Sequence, residues 1–208
     1  MPVIAVIPFK PVNPKTRLSC LLDQREREAF AEAMLDDVIT AVRGTGCDIC
    51  VLSTSSYSRP GTRVVVDERG LNESLNDFIA SSSDPVLVIM ADLPLATPEA
   101  VNDMLQREGD VVFAPGRGGG TNAIFVRAVR DFHVDYYGAS FLKHVRIAGE
   151  SGLSIGISDS FRLHTDIDEK EDLVELLIHG KGESRRFLES SGFSLKVEKG
   201  RVGVERVQ

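Results

Sequence analysis

Apolar positions along this chain switch between short contiguous runs and stripes at helical spacing. The run Val3 to Ile7 predicts a buried strand that stops at Pro8. Asp23 and Glu26 have the form of a capping box, in which the first carboxylate accepts an orphan amide and the second reaches back. Phe30, Met34, Val38, Ile39 and Val42 then step at helical spacing until Gly44 and Gly46. CDICVLST (47–54) and RVVVD (63–67) read as the next two strands. Leu71, Leu75, Phe78 and Ile79 mark a helix, PVLVIM (85–90) a buried strand, and Thr97-Pro98-Glu99 the capped start of another helix. DVVFAP (110–115) and NAIFVR (122–127) read as strands. Phe141, Val145 and Ala148 mark a helix, LSIGIS (153–158) a strand, and Asp168 to Ile178 a helix that opens D-E-K-E.

Strands alternating with helices predict an α/β fold: a mostly parallel central sheet flanked by helices, because parallel neighbours need crossovers. The crossovers are expected to be right-handed. The tail behaves differently. FSLKVEKGRVGVERV (193–207) alternates around Lys199-Gly200 and predicts a β-hairpin. A lone hairpin is marginal, so it is expected to pack on the domain or on another subunit. No repeat or low-complexity segment divides the chain. Residues 1–208 read as one domain with residues 193–208 as an appendage.

Composition narrows the function. At 208 residues and 42% hydrophobic, the chain can bury a real core. A net charge of -7 is opposite to the footprint of a nucleic-acid binder, so no nucleic-acid partner is expected. Small anionic substrates stay compatible if a few cations converge. No apolar run is long enough for a membrane span, and Met1-Pro2 leads straight into a strand without a leader pattern. A cytoplasmic protein without a membrane partner is expected. Three cysteines are too few and odd for a disulfide scaffold. The lone pair Cys47 and Cys50 reads as two core thiols.

In open parallel sheets ligands gather at the carboxyl ends of the strands. Lys10, Lys15 and Arg17 follow the first strand. Asp92 follows PVLVIM, Gly116 to Asn122 (GRGGGTN) follow DVVFAP, and Asp166 and Asp168 precede the last helix of the domain. Asp92 alone is either a cap for local amides or a metal ligand. Asp166 and Asp168, two apart, project to one side of an extended segment. Carboxylates from distant parts of the chain meeting at one rim suit magnesium, which takes hard oxygen ligands. Asp168 also reads as an N-cap, with Glu171 three residues on. The glycine loop lacks both the P-loop and the dinucleotide-binding patterns, which leaves Lys15 and Arg17 to meet phosphate as side-chain charges. His144, on a helix after Tyr137-Gly138-Ala139-Ser140, either touches an anionic ligand or packs.

KTRL (15–18), GLNESL (70–75), ADLPL (91–95), GGTNAIF (119–125), YGASFLKH (137–144) and DIDEKEDL (166–173), in this order, resemble the 2-phospho-L-lactate guanylyltransferases. That family lies within the sugar-nucleotide-transferase-like nucleotidyltransferases. The resemblance implies a GT-A-like fold and transfer of GMP from GTP to the phosphate of 2-phospho-L-lactate, in coenzyme F-420 biosynthesis. Phosphoenolpyruvate or 3-phosphoglycerate serves some relatives instead. It further implies that Asp92 and Asp168 hold Mg2+ with Asp166 nearby, and that Lys15, Arg17 and Lys10 cover the triphosphate. Asn72 and Glu73 would border the nucleotide, and Thr121, Gly138, Ser140 and His144 the small phosphorylated acid. Glu169 and Lys170 stand where the family often has threonine and proline. Two other readings remain: a transferase of the same fold with another acceptor, such as a molybdopterin or a sugar phosphate, and a non-catalytic nucleotide-binding module. The hairpin adds the expectation of a homodimer.

Overall fold

The computed structural model describes residues 2–207. Seven strands form one sheet in the order β3-β2-β1-β4-β6-β5-β7. They are β1 (Ile4–Phe9), β2 (Asp48–Ser53), β3 (Arg63–Val66), β4 (Val86–Ile89), β5 (Val111–Pro115), β6 (Thr121–Val126) and β7 (Ile155–Ile157). Every neighbouring pair is parallel except those made by β6, which runs antiparallel to β4 and β5. The glycine-rich stretch therefore joins two adjacent antiparallel strands directly. It lies at the carboxyl end of β5 and the start of β6, on the rim where β1 and β4 also end.

The helices are α1 (Gln24–Arg43), α2 (Leu71–Ser81), α3 (Pro98–Gln106), α4 (Ser140–Glu150), α5 (Phe161–His164), α6 (Asp172–His179) and α7 (Glu183–Ser190). Contiguous apolar runs become strands here because both faces of the sheet are covered. Val88, Phe113 and Ile124 pack with Leu75 of α2 and Ala148 of α4 on one face. Ile7, Leu87, Ala114 and Phe125 pack with Phe30 and Met34 of α1 and Met104 of α3 on the other. The capping box of α1 is formed: the Asp23 carboxylate accepts the Glu26 amide and the Glu26 carboxylate accepts the Asp23 amide, both at 2.9 Å. The three cysteines are free, and burial pushes the thiols of Cys47 and Cys50 up, as core thiols should behave. No helix of the described residues is long and apolar enough to cross a membrane.

Two expectations are corrected, and two helices appear that the sequence did not predict. β1 does not stop at Pro8 but runs on to Phe9. Its ladder with β4 ends at Val6, so Pro8 pairs only with β2 and its missing N–H disturbs one side of the ladder at most. The helix expected from Asp168 begins at Asp172, and Asp168 is not its N-cap. Asp172 Oδ2 accepts the amides of Asp168 (2.9 Å) and Glu169 (2.8 Å), which closes a turn ahead of the helix. The side chain of Asp168 is thereby released for other partners. Finally, α5 and α7 carry no sequence signal of their own. The N-terminus of α7 is capped from α1 by Asp37, which accepts the Glu183 amide at 2.6 Å and the Ser184 amide at 3.1 Å. A Cβ on Gly182 would collide with that carboxylate, so glycine is required there.

The tail is the expected hairpin, β8 (Phe193–Glu198) with β9 (Arg201–Arg206). Lys199 and Gly200 both take positive φ (50° and 77°), which matches the twist of the flanking strands. Its base packs on the domain: Phe193 and Val204 are buried in the α1 face of the core. Arg206 donates to the Leu21 carbonyl at 2.9 Å and pairs with the Glu26 carboxylate.

Candidate functional site

The loop after β1 has no glycine, yet Asn13 and Lys15 both adopt positive φ (47° and 50°). Such geometry costs roughly 1 kcal/mol per residue and persists only where the surroundings impose it. Here Arg27 of α1 imposes it from beneath. Its guanidinium is buried and donates to the carbonyls of Pro14 and Leu22 (3.1 Å each) and to Asn13 Oδ1 (2.6 Å). The Asn13 amide in turn donates to Glu28 Oε1 at 3.0 Å. Arg27 was invisible in the sequence, where it reads as one more solvated charge on an amphipathic helix.

So held, Lys15 points its ammonium between two carboxylates. Nζ lies 2.7 Å from Asp92 Oδ2 and 2.7 Å from Asp168 Oδ1. Burial works against that charge, but Asp92 and Asp168 together outweigh it and hold the Lys15 pKa above its ordinary value. Arg17 Nη1 binds the other oxygen of Asp168 at 2.9 Å. The main chain ties the two acidic segments together, with the Ile167 amide donating to the Asp92 carbonyl at 3.0 Å. Asp166 is half-buried beside them. Burial, and then the charge of Asp92, push its carboxyl above the usual carboxylate range. Lys15, Arg17, Asp92, Asp166 and Asp168 thus meet at one rim. Lys10 is exposed and lines the same cleft, of about 210 Å³, with Lys15, Asp92 and Asp168.

The acidic segment is set by two residues of the glycine-rich stretch to which the sequence assigned no role, Asn122 and Arg117. The Asn122 side-chain amide donates to the carbonyls of Leu163 (3.0 Å) and His164 (3.1 Å) and reaches Asp166 Oδ1 at 3.4 Å. Arg117, in the glycine-rich loop, donates to the Asp166 carbonyl at 3.1 Å and pairs with Asp172 at 2.6 Å. Asp172 is the carboxylate that holds the amides of Asp168 and Glu169. The glycine loop and the two aspartates are therefore one hydrogen-bonded unit.

A second group adjoins it across Thr121 and Asn122. Thr121 Oγ1 lies 2.9 Å from His144 Nδ1 and 3.3 Å from Ser140 Oγ, and all three side chains are buried. Gly138 stands at the exposed loop before α4 with φ 61°, next to Tyr137 with φ 81°. Asn72 faces this loop: its Oδ1 accepts the Tyr136 amide at 2.7 Å and its Nδ2 donates to the Tyr136 carbonyl at 3.4 Å. Glu73 is turned outward, paired with Arg69 at 3.1 Å, and does not join the Lys15 group.

Burial pushes the His144 imidazole down to about 4, against a pull from Asp135. The folded state keeps the ring neutral, whereas the unfolded chain protonates it near 6.5. This part of the stability is therefore complete above about pH 6.5 and is lost as pH falls toward 4, by up to about 3 kcal/mol. Urea unfolding of the wild type and His144→Asn measures it. The wild type's advantage should shrink by roughly 2 to 3 kcal/mol between about pH 7 and about pH 4.5; a constant gap would contradict it.

Chemically, the rim offers two fixed cations to an anionic chain and three carboxylate side chains to a cation. Asp92 and Asp168 already converge on one positive charge, and Asp166 stands half-buried beside them. An all-oxygen donor set of this kind fits a hard divalent ion. Among the described residues no three such ligands are already gathered around one point, so substrate oxygens would have to complete the shell.

A family model described as "Guanylyl transferase CofC like" matches residues 3–208. The 2-phospho-L-lactate guanylyltransferase of Methanoculleus marisnigri is 56% identical, over 97% of this chain and 95% of its own. That of Methanoregula boonei is 54% identical, over 97% and 94%. Among solved structures, a Desulfovibrio desulfuricans protein assigned to the nucleotide-diphospho-sugar transferases superposes with a TM-score of 0.74. It is 16% identical, with 92% of this chain and 96% of that one covered, and shows the likeness of fold alone.

Proposed function

The chain belongs to the CofC-like guanylyl transferases, and from that premise we propose that it transfers GMP from GTP to the phosphate of 2-phospho-L-lactate. The products are lactyl-2-diphospho-5′-guanosine and pyrophosphate, a step in making coenzyme F-420. The observation that carries this is the meeting of Lys15, Asp92 and Asp168, from three distant parts of the chain, at 2.7 Å contacts on the strand-end rim. A non-catalytic binding module would not need two carboxylates converging beside the phosphate-binding cations.

The acceptor phosphate attacks the α-phosphorus of GTP and pyrophosphate leaves in line. Such transfer depends on positioning and charge neutralisation. Lys15 and Arg17 neutralise triphosphate oxygens, Lys15 from a locked backbone and Arg17 from an exposed position paired with Asp168, with Lys10 at the mouth of the cleft. No general base is required, because a phosphate monoester is largely dianionic at neutral pH. Thr121, Ser140 and the backbone around Gly138 receive the acid. Asn72 and Glu73, at the start of α2, border the nucleotide side, and Asn72 also holds the Tyr136 backbone that leads to the loop of the acid. Asp92 and Asp168, with Asp166 behind them, would hold Mg2+. When bound, the ion neutralises phosphate oxygens that the two cations do not reach.

The test is pyrophosphate release with Mg2+ and GTP, offering 2-phospho-L-lactate, phosphoenolpyruvate and 3-phosphoglycerate separately. Release with 2-phospho-L-lactate, and none without an acceptor, is expected. Release with only one of the other two would change the substrate and keep the reaction. Silence with all three from protein that binds GTP would return the function to a same-fold transferase or a binding module.

We also propose a homodimer of this one-domain enzyme, working in the cytoplasm, where GTP is supplied. The apolar face of the hairpin continues past the domain: Leu195, Val197 and Val202 are exposed beyond the buried Phe193 and Val204. An exposed apolar strand face of this kind favours a second copy. Val197→Lys with Val202→Lys should halve the mass seen by light scattering and leave the fold intact. A wild type that is already monomeric would end this proposal.

A further inference from the structure

Asp135, His144 and Thr121 form a chain in which each proton can be assigned. The Asp135 backbone N–H can only donate, and it points to His144 Nε2 at 2.9 Å. Nε2 must then carry its lone pair, so in the neutral ring the proton sits on Nδ1. Nδ1 is 2.9 Å from Thr121 Oγ1 and donates to it. Ser140 Oγ donates to the same oxygen at 3.3 Å. Thr121 Oγ1 accepts twice, and its own hydrogen is directed away from both donors.

We propose that His144 is a positioning residue: by holding the Nδ1-protonated tautomer it makes the Thr121 hydroxyl a fixed hydrogen-bond donor to an anionic oxygen of the phosphorylated acid. This rests on the acceptor-site placement above. His144 does not touch the acid. It is fully buried, stacked near Phe113 (centroids 6.1 Å apart, 12° between planes) and edge-on to Tyr136 at 4.9 Å. The segment that supplies the Asp135 N–H cannot drift, because α2 grips it from the other side. Asn76 Oδ1 accepts the Val134 amide at 2.7 Å and Asn76 Nδ2 donates to the Val134 carbonyl at 3.0 Å. Asn72 repeats the grip two residues on, at Tyr136. Side chains thus claim the amides of residues 134, 135 and 136 in turn. This strut leads directly into Tyr137 and Gly138, so the ring joins Thr121 to the loop that borders the acid. A flipped or protonated ring would set N–H against the Asp135 N–H and break the link.

Long-range 1H–15N correlation spectra of the uniformly labelled full-length protein, without substrate, read the tautomer directly. The His144 signals are assigned by their loss in His144→Asn. Nδ1 protonation near neutral pH is expected; Nε2 protonation would overturn the proposal whatever the variants do. Kinetics with 2-phospho-L-lactate and GTP then test the consequence. In His144→Gln the side-chain carbonyl reaches the Nε2 position and nothing donates to Thr121. Its KM for 2-phospho-L-lactate should rise at least about tenfold, with the KM for GTP within about twofold. In His144→Asn the amide N–H stands near Nδ1, and most of the loss should be recovered. An unchanged acceptor KM in His144→Gln would overturn the positioning role. If the ring is Nδ1-protonated and only the KM for GTP rises, the placement of the acid at Thr121 fails instead, and the two failures are told apart.

Discussion

Asp92→Asn should lower kcat by about a thousandfold or more while the protein melts within a few degrees of the wild type. The substitution keeps the volume and an oxygen that Lys15 can still reach, and Lys15 retains Asp168 at 2.7 Å. The link from the Ile167 amide to the Asp92 carbonyl is main chain and survives as well. Only one negative charge is lost, at a position partly open to solvent, so the stability cost is about 1 kcal/mol or less. For catalysis the same charge matters far more. Phosphoryl-type transfer in a site with fixed charges derives most of its acceleration from balancing oxygens against cations, and the loss of one carboxylate removes half of the pair that faces Lys15. Steady-state pyrophosphate release and a thermal melt on the same preparation decide it. Turnover near the wild-type rate at limiting magnesium would take Asp92 out of the proposed metal site. A collapse of the melting temperature would make its role structural.

Lys15→Ala should damage both properties. With the ammonium gone, Asp92, Asp166 and Asp168 face one another with only Arg17 to answer them, and Arg17 is 65% exposed at its side chain. Removing one partner of a fully buried pair costs about 3 to 5 kcal/mol. Asp92 and Asp168 remain partly solvated, so roughly 2 to 3 kcal/mol is expected, which lowers the melting temperature by about 5 to 10 °C. Turnover should fall by about a hundredfold to a thousandfold if Lys15 is, as proposed, the positioned cation against the triphosphate. The distinguishing result lies with Mg2+. Lys15 and a divalent ion seek the same oxygens, so added Mg2+ should stabilise Lys15→Ala more than it does the wild type. Equal Mg2+ shifts in the two proteins would mean that Lys15 and the ion do not share those oxygens. Arg17→Ala, removing an exposed partner, should leave the melting temperature nearly unchanged.

Much of the site could be read from the chain because its chemistry is local to strand ends. Lys15 and Arg17 follow β1, Asp92 follows β4, and Asp166 and Asp168 precede α6, so the rule that ligands gather at carboxyl ends of parallel strands was enough to place them on one rim. Residues that act through others left no such mark. Arg27 looks like an ordinary helix-surface arginine, and Asp172 like the acid of any first helical turn. Asn122 closes the glycine-rich loop and opens the strand NAIFVR, with nothing to show what its side chain would hold. Their roles depend on which backbone groups the fold brings within 3 Å.

The sequence by itself determined the strand and helix alternation, the capping box at Asp23, the hairpin at Lys199-Gly200 and the rim of cations and carboxylates. Those are consequences of periodicity and turn chemistry, which act over a few residues. The tertiary structure decided the rest. It placed β6 between β4 and β5, so that the strand whose short link to β5 already demands an antiparallel turn also runs antiparallel to β4. It shifted the start of α6, because Asp172, held by Arg117 of the glycine-rich loop, accepts the amides of Asp168 and Glu169 and closes a turn ahead of the helix. It made α7 a helix by lending it Asp37 as a cap from nearly 150 residues away, and it chose the proton position on His144. The contacts that decide these features are mostly between groups far apart in sequence, and a buried polar group must find whatever partner the packed fold supplies.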